Sequence, residues 1–362
     1  MALPKQTVYR YYSDDDLSEL LSFLGKYLYY EPSSELEALF RWKHLRNPFG
    51  KSEMVLAVDG GKIVTFLAGM SWKLRTGGRV INCMRWGDLV SHPDWRRQMS
   101  GALAPFALAT QLTEKARLQG ISLFFCSSSN EYSRPFMTNF GWSDVQRLWP
   151  LVRVDLRRVV ADAIKSKLSR QKVSSYEAQD FFKHAPTPVT ALLAHPGIYS
   201  LLQKDAQLED SKPLTTCRTL EYLKWRYGEH PTITYYTLMR ERAGELSAAI
   251  IFRSGTYVGL KAIVIDEIFL ASPREAVGLL DELHETVAVS YLVTRVSSGS
   301  WKLGILRKSG FRNTQRYYSY SRYFGYREER ERLMAYSLDH TIPTDPSFPE
   351  NWALSNGEME GF

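Results

Sequence analysis

Apolar residues recur every three or four positions along LSELLSFLGKYL, residues 17–28. That spacing lays one apolar stripe along a helix, and it predicts a helix over about 14–29 with Asp14 as its cap. A second helix is predicted over about 33–46, with Ser33 as N-cap and Glu35 and Glu37 in its first turn. The period then shortens. MVLAVDGGKIVTFLAGMSW, 54–72, holds two β-branched and aliphatic runs about Gly60-Gly61, a hairpin signature. A strand follows over 80–92, VINCMRWGDLVSH, and then a basic loop over 93–100. A long helix is expected over 101–119, ended by Gly120. ISLFFCS, 121–127, reads as a strand, 133–139 as a short helix, and VQRLWPLVRV, 145–154, as a final strand.

The pattern then repeats. Trp42 and Pro48 find counterparts in Trp225 and Pro231, each displaced by 183 positions. TYYTLMRERAGELSAAIIFRS, 234–254, supplies a second hairpin in the same place. Further on, Gly141, Gln146 and Arg147 are matched by Gly310, Gln315 and Arg316, now displaced by 169. Two matches in the same order predict a duplicated fold whose second copy is shorter. The expected organisation is a domain over 1–155, a linker with helices over 156–217, a degenerate copy over 218–337 and an irregular tail over 338–362. The tail holds proline among polar residues, which predicts little packing, although Trp352 could dock.

Composition narrows the class. With 362 residues, 44% hydrophobic and 23% charged, the chain is globular and long enough for two domains. No apolar run approaches the roughly 18 residues of a membrane span, so no membrane insertion is expected. The N-terminal stretch lacks the apolar segment of a signal peptide, which points to the cytoplasm. Three scattered cysteines are no disulfide framework and suggest a reducing compartment. The seven histidines form no HxH or HxxxH pair, so no metal is expected. A net charge of +7 favours anionic partners without choosing among phosphates, nucleotides and nucleic acid.

Three segments carry more specific information. They are Phe40-Arg-Trp-Lys-His-Leu-Arg-Asn-Pro-Phe49, Gly87-Asp-Leu-Val-Ser-His-Pro-Asp-Trp-Arg-Arg-Gln-Met-Ser-Gly101, and Asn130-Glu-Tyr132 ahead of Phe140-Gly-Trp142. In this order the chain resembles the GNAT (Gcn5-related) N-acetyltransferase superfamily, in particular two-domain sugar N-acyltransferases of surface-polysaccharide pathways. The resemblance covers most of 1–155 and, in degenerate form, about 218–325. It implies an α+β fold: two tandem GNAT-like domains, each a mixed, mostly antiparallel central sheet flanked by helices.

The resemblance also implies a site. A helix start with unpaired N–H groups cradles a pyrophosphate. The superfamily's loop, Arg/Gln-x-x-Gly-x-Gly/Ala, falls here on Arg96, Arg97, Gln98, Met99, Ser100 and Gly101, with Met99 in place of the first glycine. A solvated basic loop is the plainer alternative. Leu89, Val90 and Asn130 complete the expected CoA contacts, Asn130 resembling the asparagine that meets the pantetheine arm. Asp88, at the end of the opened strand, is the first choice for general base or amine orienter; a turn cap is the structural alternative. Glu131 and His92 are second choices for the base. Tyr132 resembles the tyrosine that protonates the leaving thiolate, or is one aromatic among many. Arg85 and Trp86 are candidates for the acceptor pocket. In the second copy Ala271-Ser-Pro-Arg-Glu-Ala-Val-Gly278 puts a glutamate where an anion would sit, so only the first copy is expected to bind CoA, and the second to supply part of the acceptor pocket.

The expected reaction is acyl transfer from acetyl-CoA or a hydroxyacyl-CoA, as co-substrate, to an amino sugar, which the resemblance implies is nucleotide-linked. Two other readings stay open. One is aminoacyl transfer from charged tRNA, for which Arg157, Arg158, Lys165, Lys167, Arg170 and Lys172 would follow a phosphate backbone. The other is a non-catalytic binding protein. The CoA loop favours the first, and nucleic acid is not the expected partner. The acyl group, the sugar and the oligomeric state stay open.

Overall fold

The structure is a computed structural model, and it describes residues 7–28, 34–129, 133–169, 178–209, 212–314 and 332–359. The first half opens with an edge strand β1 (Val8–Tyr11) and helix α1 (Leu17–Tyr27). A 3-10 turn, Asp14–Asp16, leads into α1, and its cap is Ser13 rather than Asp14: the Ser13 N–H donates to the Asp16 carboxylate at 2.8 Å, and Arg10 pairs with the same group. Leu20, Phe23 and Leu24 form the buried face of α1, as their spacing requires. Helix α2 (Ser34–Phe40) runs into a single π turn, Arg41–Leu45. The predicted Ser33 cap lies outside the described residues.

The meander β2 (Glu53–Asp59), β3 (Lys62–Thr76) and β4 (Arg79–Ser91) follows. Gly60 and Gly61 both have positive φ, which a two-residue hairpin turn of this hand demands. Helix α3 (Met99–Leu118) leads to β5 (Leu123–Ser129), which lies parallel to β4. Helix α4 (Ser133–Asn139) and β6 (Ser143–Arg147) complete this part.

The expected single strand over 145–154 is in fact two. Pro150 separates β6 from β7 (Leu151–Val154), and β7 leaves for the other sheet. After α5 (Leu156–Ser169) come β8 (Thr187–Pro188), α6 (Val189–Leu193), α7 (Ile198–Leu208), β9 (Thr215–Thr216) and α8 (Leu220–Leu223). A second π turn, Lys224–Gly228, then mirrors the first. The second meander is β10 (Tyr236–Arg242), β11 (Glu245–Tyr257) and β12 (Leu260–Leu270). It is followed by α9 (Glu275–Thr286), β13 (Tyr291–Thr294), α10 (Lys302–Lys308) and β14 (Arg312–Asn313). The last strand, β15 (Arg332–Ser337), returns to the first sheet.

The sheet orders are β1-β2-β3-β4-β5-β15-β6, with β9 beside β3, and β14-β7-β13-β12-β11-β10-β8. The two halves therefore exchange one strand each: β15 lies between β5 and β6, while β7 lies between β13 and β14. This is the expected α+β architecture of two mostly antiparallel sheets flanked by helices, but boundaries at 155 and 337 do not divide the sheets. A shared core joins Trp42, Trp72 and Phe125 of the first half to Trp225, Tyr235 and Phe269 of the second.

The tail is not the unpacked segment its composition suggested. Trp352 is fully buried and donates its indole N–H to the Pro346 carbonyl at 2.8 Å. Bridges Leu214–Trp352 and Val296–Ser355 tie the segment down, and the closing turn Asn356–Met359 is buried. Local composition missed it because its partners are far off in the chain.

Candidate functional site

β4 and β5 pair only from Cys83 to Arg85, against Leu123 to Phe125. Beyond that they diverge. The cause is visible in the register with β3, where Phe66 faces Val90 but Ala68 faces Gly87, so β4 carries an extra residue. Asp88 takes up the bulge with φ of +54°, a left-handed conformation that few non-glycine residues adopt. A cleft of about 220 Å³ opens at this point, walled by Trp86, Gly87, Asp88 and Leu89 on one side and by Cys126, Phe136 and Met137 on the other.

Below the cleft lies a charged cluster. Asp88 Oδ1 accepts from Lys43 Nζ at 2.8 Å, and Oδ2 from His44 Nε2 at 2.9 Å. His44 Nδ1 meets Ser52 Oγ at 2.9 Å. Side chains of Lys43 and His44 are 4% and 1% exposed, so this pair does not sit in water. Burial pushes the Asp88 carboxyl up, but Lys43 and His44 outweigh it and hold the group well below the usual carboxylate range. Burial pushes the His44 pKa down. The imidazole is therefore neutral, with Nε2–H donating to Asp88 and Nδ1 accepting from Ser52.

The structure sorts the remaining expected residues. Trp86 lines the cleft and packs on Phe124, Phe140 and Trp142. Among the described residues its indole N–H has no hydrogen-bond partner. Leu89 lines the cleft too, whereas Val90 turns into the core beneath α1 and α2. Arg85 points away from the cleft: its Nη2 donates to Ser127 Oγ at 2.9 Å, and its guanidinium lies over the Trp72 ring. That puts it in the core between the halves instead of in an open acceptor pocket. His92 closes the turn after β4, its Nδ1 accepting from Asp94 N–H and its ring edge-on to Tyr27. Asn130, Glu131 and Tyr132 lie outside the described residues.

In the basic loop, buried Trp95 anchors a short 3-10 turn, Trp95–Arg97, while Arg96 and Arg97 are exposed. Gln98 is extended and starts α3, so Met99, Ser100 and Gly101 supply the first backbone N–H groups of that helix. A Cβ at Gly101 would stand 1.9 Å from the Trp95 carbonyl oxygen. The glycine lets the turn and the helix start touch.

The second half has the same frame and a different filling. Its bulge carries Asp266 and Glu267. Tyr227 OH donates to Glu267 Oε1 at 3.0 Å, as His44 does to Asp88. There, however, Ser355 Oγ also bonds Glu267, Asn356 Nδ2 bonds Asp266, and Arg226 Nε donates to the Gly357 carbonyl. The C-terminal segment thus occupies the divergence of β12 from β13. Glu275, in the first turn of α9, pairs with Arg242 at 3.0 Å. Arg218 sits among Glu209, Glu267 and Glu358; burial pushes the Glu358 carboxyl up to about 7 against the pull of Arg218.

Sequence reasoning missed Lys43, His44 and Arg218. For the first two a signal existed: the displacement of 183 that pairs Trp42 with Trp225 also pairs Lys43 with Arg226 and His44 with Tyr227. Among the described residues no group of His, Cys, Asp and Glu could hold a metal, and no helix is long and apolar enough to cross a membrane.

Residues 8–145 match the acetyltransferase (GNAT) domain. No curated protein matches the chain. Among solved structures, an Enterococcus faecalis V583 protein of unknown function, described as a probable N-acyltransferase, superposes with a TM-score of 0.60 at 11% identity, over 92% of this chain and 73% of that one. A GCN5-related N-acetyltransferase from Anabaena variabilis ATCC 29413 gives 0.59 at 16%, over 91% and 72%. The Saccharomyces cerevisiae N-myristoyltransferase, solved with myristoyl-CoA, gives 0.51 at 11%, over 96% and 83%. At these identities the likeness is one of fold, and it extends through both halves.

Proposed function

We propose that the chain is a GNAT-type N-acyltransferase that moves an acyl group from CoA to an amine. The observation that carries this is the divergence of β4 from β5 at the Asp88 bulge, which opens a cleft in the half that matches the GNAT domain. Past Arg85, the pairing of β4 with β5 ends among the described residues. Backbone N–H groups so placed can meet a thioester carbonyl and stabilise the oxyanion that forms when the amine attacks. The carbon–nitrogen bond forms, the carbon–sulfur bond breaks, the amine nitrogen gives up one proton, and the departing thiolate takes up a proton to leave as free CoA. The start of α3, with exposed Arg96 and Arg97, suits the pyrophosphate.

In this reading Asp88 is not the proton acceptor. A carboxylate held below its usual range by a buried lysine is a poorer base than a free one, so Asp88 acts on the shape and charge of the cleft. The second half is a closed partner: its cleft is filled by its own C-terminal segment, and Glu275 stands at its helix start. One CoA per chain follows.

The acyl group is acetyl or a hydroxyacyl such as 3-hydroxybutanoyl, and the acceptor is a nucleotide-linked amino sugar of cytoplasmic surface-polysaccharide synthesis. This finer assignment rests on the resemblance to two-domain sugar N-acyltransferases. Thiol release with acetyl-CoA and 3-hydroxybutanoyl-CoA, against a panel of nucleotide-linked amino sugars, tests it. Release that depends on the amine supports the assignment. Absence of CoA binding by calorimetry rejects the enzyme reading, and salt-sensitive tRNA binding in its place would favour aminoacyl transfer.

A further inference from the structure

Attack of an amine on a thioester has no use for a buried ammonium group, yet Lys43 lies directly beneath the cleft. Resting on the reading above, we propose that Lys43 is a positioning residue: its ion pair holds the Asp88 carboxylate turned away from the bound thioester and so fixes the bulge whose backbone lines the donor site.

Three observations carry this. First, both Asp88 oxygens are engaged from below, by Lys43 and His44, although the residue stands at the cleft wall. Second, a non-glycine residue keeps a left-handed backbone only where its surroundings over-determine it, and the two contacts supply that constraint at Asp88. Third, the duplicated half offers a comparison inside one chain. There the matching cation, Arg226, donates to Tyr235 OH at 3.0 Å and to the Gly357 carbonyl of the segment that fills the cleft. The bulge acid Glu267 is satisfied in part by Ser355 of that same segment. In the filled half, then, the filling helps hold the bulge. In the open half the lysine has to do it from underneath.

The groups bearing on this charge include Lys43 and His44 from the π turn, and Arg85 on β4, which acts on Lys43. Without Lys43, the largest of the influences that hold the Asp88 carboxyl down against its burial is lost. The carboxyl then titrates at a higher pH. When ionised it turns towards water, into the cleft, and spoils the donor site.

The test is CoA binding by calorimetry between pH 5.5 and 8.5, expressed as the ratio of variant to wild-type affinity so that titration of CoA itself cancels. For Lys43→Met the ratio should fall by about tenfold as pH rises across one unit of the new titration. Lys43→Arg, which keeps the charge, should give a flat ratio. Lys43→Met combined with Asp88→Asn buries no charge and should also give a flat ratio, whatever its absolute affinity; folding of each variant is checked by thermal melting. A flat ratio for folded Lys43→Met overturns the proposal while leaving CoA binding intact. If Lys43→Met does not fold, a double variant as pH-dependent as that single substitution was expected to be overturns it instead. Wild-type protein that binds no CoA at any pH rejects the proposed function, and this inference with it.

Discussion

Trp42 and Trp225 each donate an indole N–H to the other's backbone carbonyl, at 2.7 and 2.9 Å, with rings stacked 4.7 Å apart and 14° from parallel. Each sits in a π turn, and the two turns are related by the same displacement as the halves. The pair is thus the local axis of the duplication, and it welds the halves through a core that neither owns.

Trp225→Phe keeps a ring but removes the indole N–H that the buried Trp42 carbonyl accepts. We expect a loss of about 1–3 kcal/mol in urea unfolding, and a similar loss for Trp42→Phe. Because the core is shared, both should unfold in one transition. Two resolved transitions in the wild-type protein would show that the halves are independent.

His230 packs tilted against the Trp42 ring and accepts N–H bonds from Thr232 and Ile233 at Nδ1, a role only a neutral ring can fill. Burial, with Arg226 nearby, lowers its pKa to about 3. The unfolded chain takes up this proton near pH 6.5, so stability is lost as pH falls from about 6.5 towards 3. At pH 5 the effect should reach about 1–2 kcal/mol. His230→Asn should flatten this part of the profile; an unchanged slope between pH 7 and 5 would refute the assignment.

Gly101→Ala forces a methyl group onto the Trp95 carbonyl. Backbone cannot yield as a side chain can, so about 1–3 kcal/mol of stability should be lost. CoA affinity should fall as well, since the same shift moves the helix start. Wild-type melting and wild-type affinity together would place the loop's role elsewhere.

Arg96→Ala with Arg97→Ala should weaken CoA by about 1.5–3 kcal/mol per lost charge-assisted contact, and the loss should shrink at high salt. Native mass spectrometry should find one CoA per chain. Two would mean that the C-terminal segment leaves the second cleft.

Local features of the fold could be read from the residues. α1 lies where Leu20, Phe23 and Leu24 demanded it, and the first hairpin turns at Gly60-Gly61. Both are fixed by neighbours a few positions away. The strand exchange could not be read, because β7 and β15 are chosen by edges far along the chain, and residues 145–154 look continuous until Pro150 is given its weight. At the candidate site Asp88 stood out by position alone. Its partners did not, since Lys43 and His44 lie on a helix end that only the fold brings under the cleft.

The exchanged strands also set an order of events during synthesis. A ribosome releases the N-terminal half first, at ~5–20 residues per second. That half then has α1 to β6 in hand but lacks the strand between β5 and β6, which arrives only with Arg332–Ser337. For seconds to tens of seconds two strand edges stand unpaired, open to other chains. Meanwhile β7 waits for β13. Cutting the gene between the halves would give two products, each missing a strand that the other holds, and a productive pair should form only when both are made together.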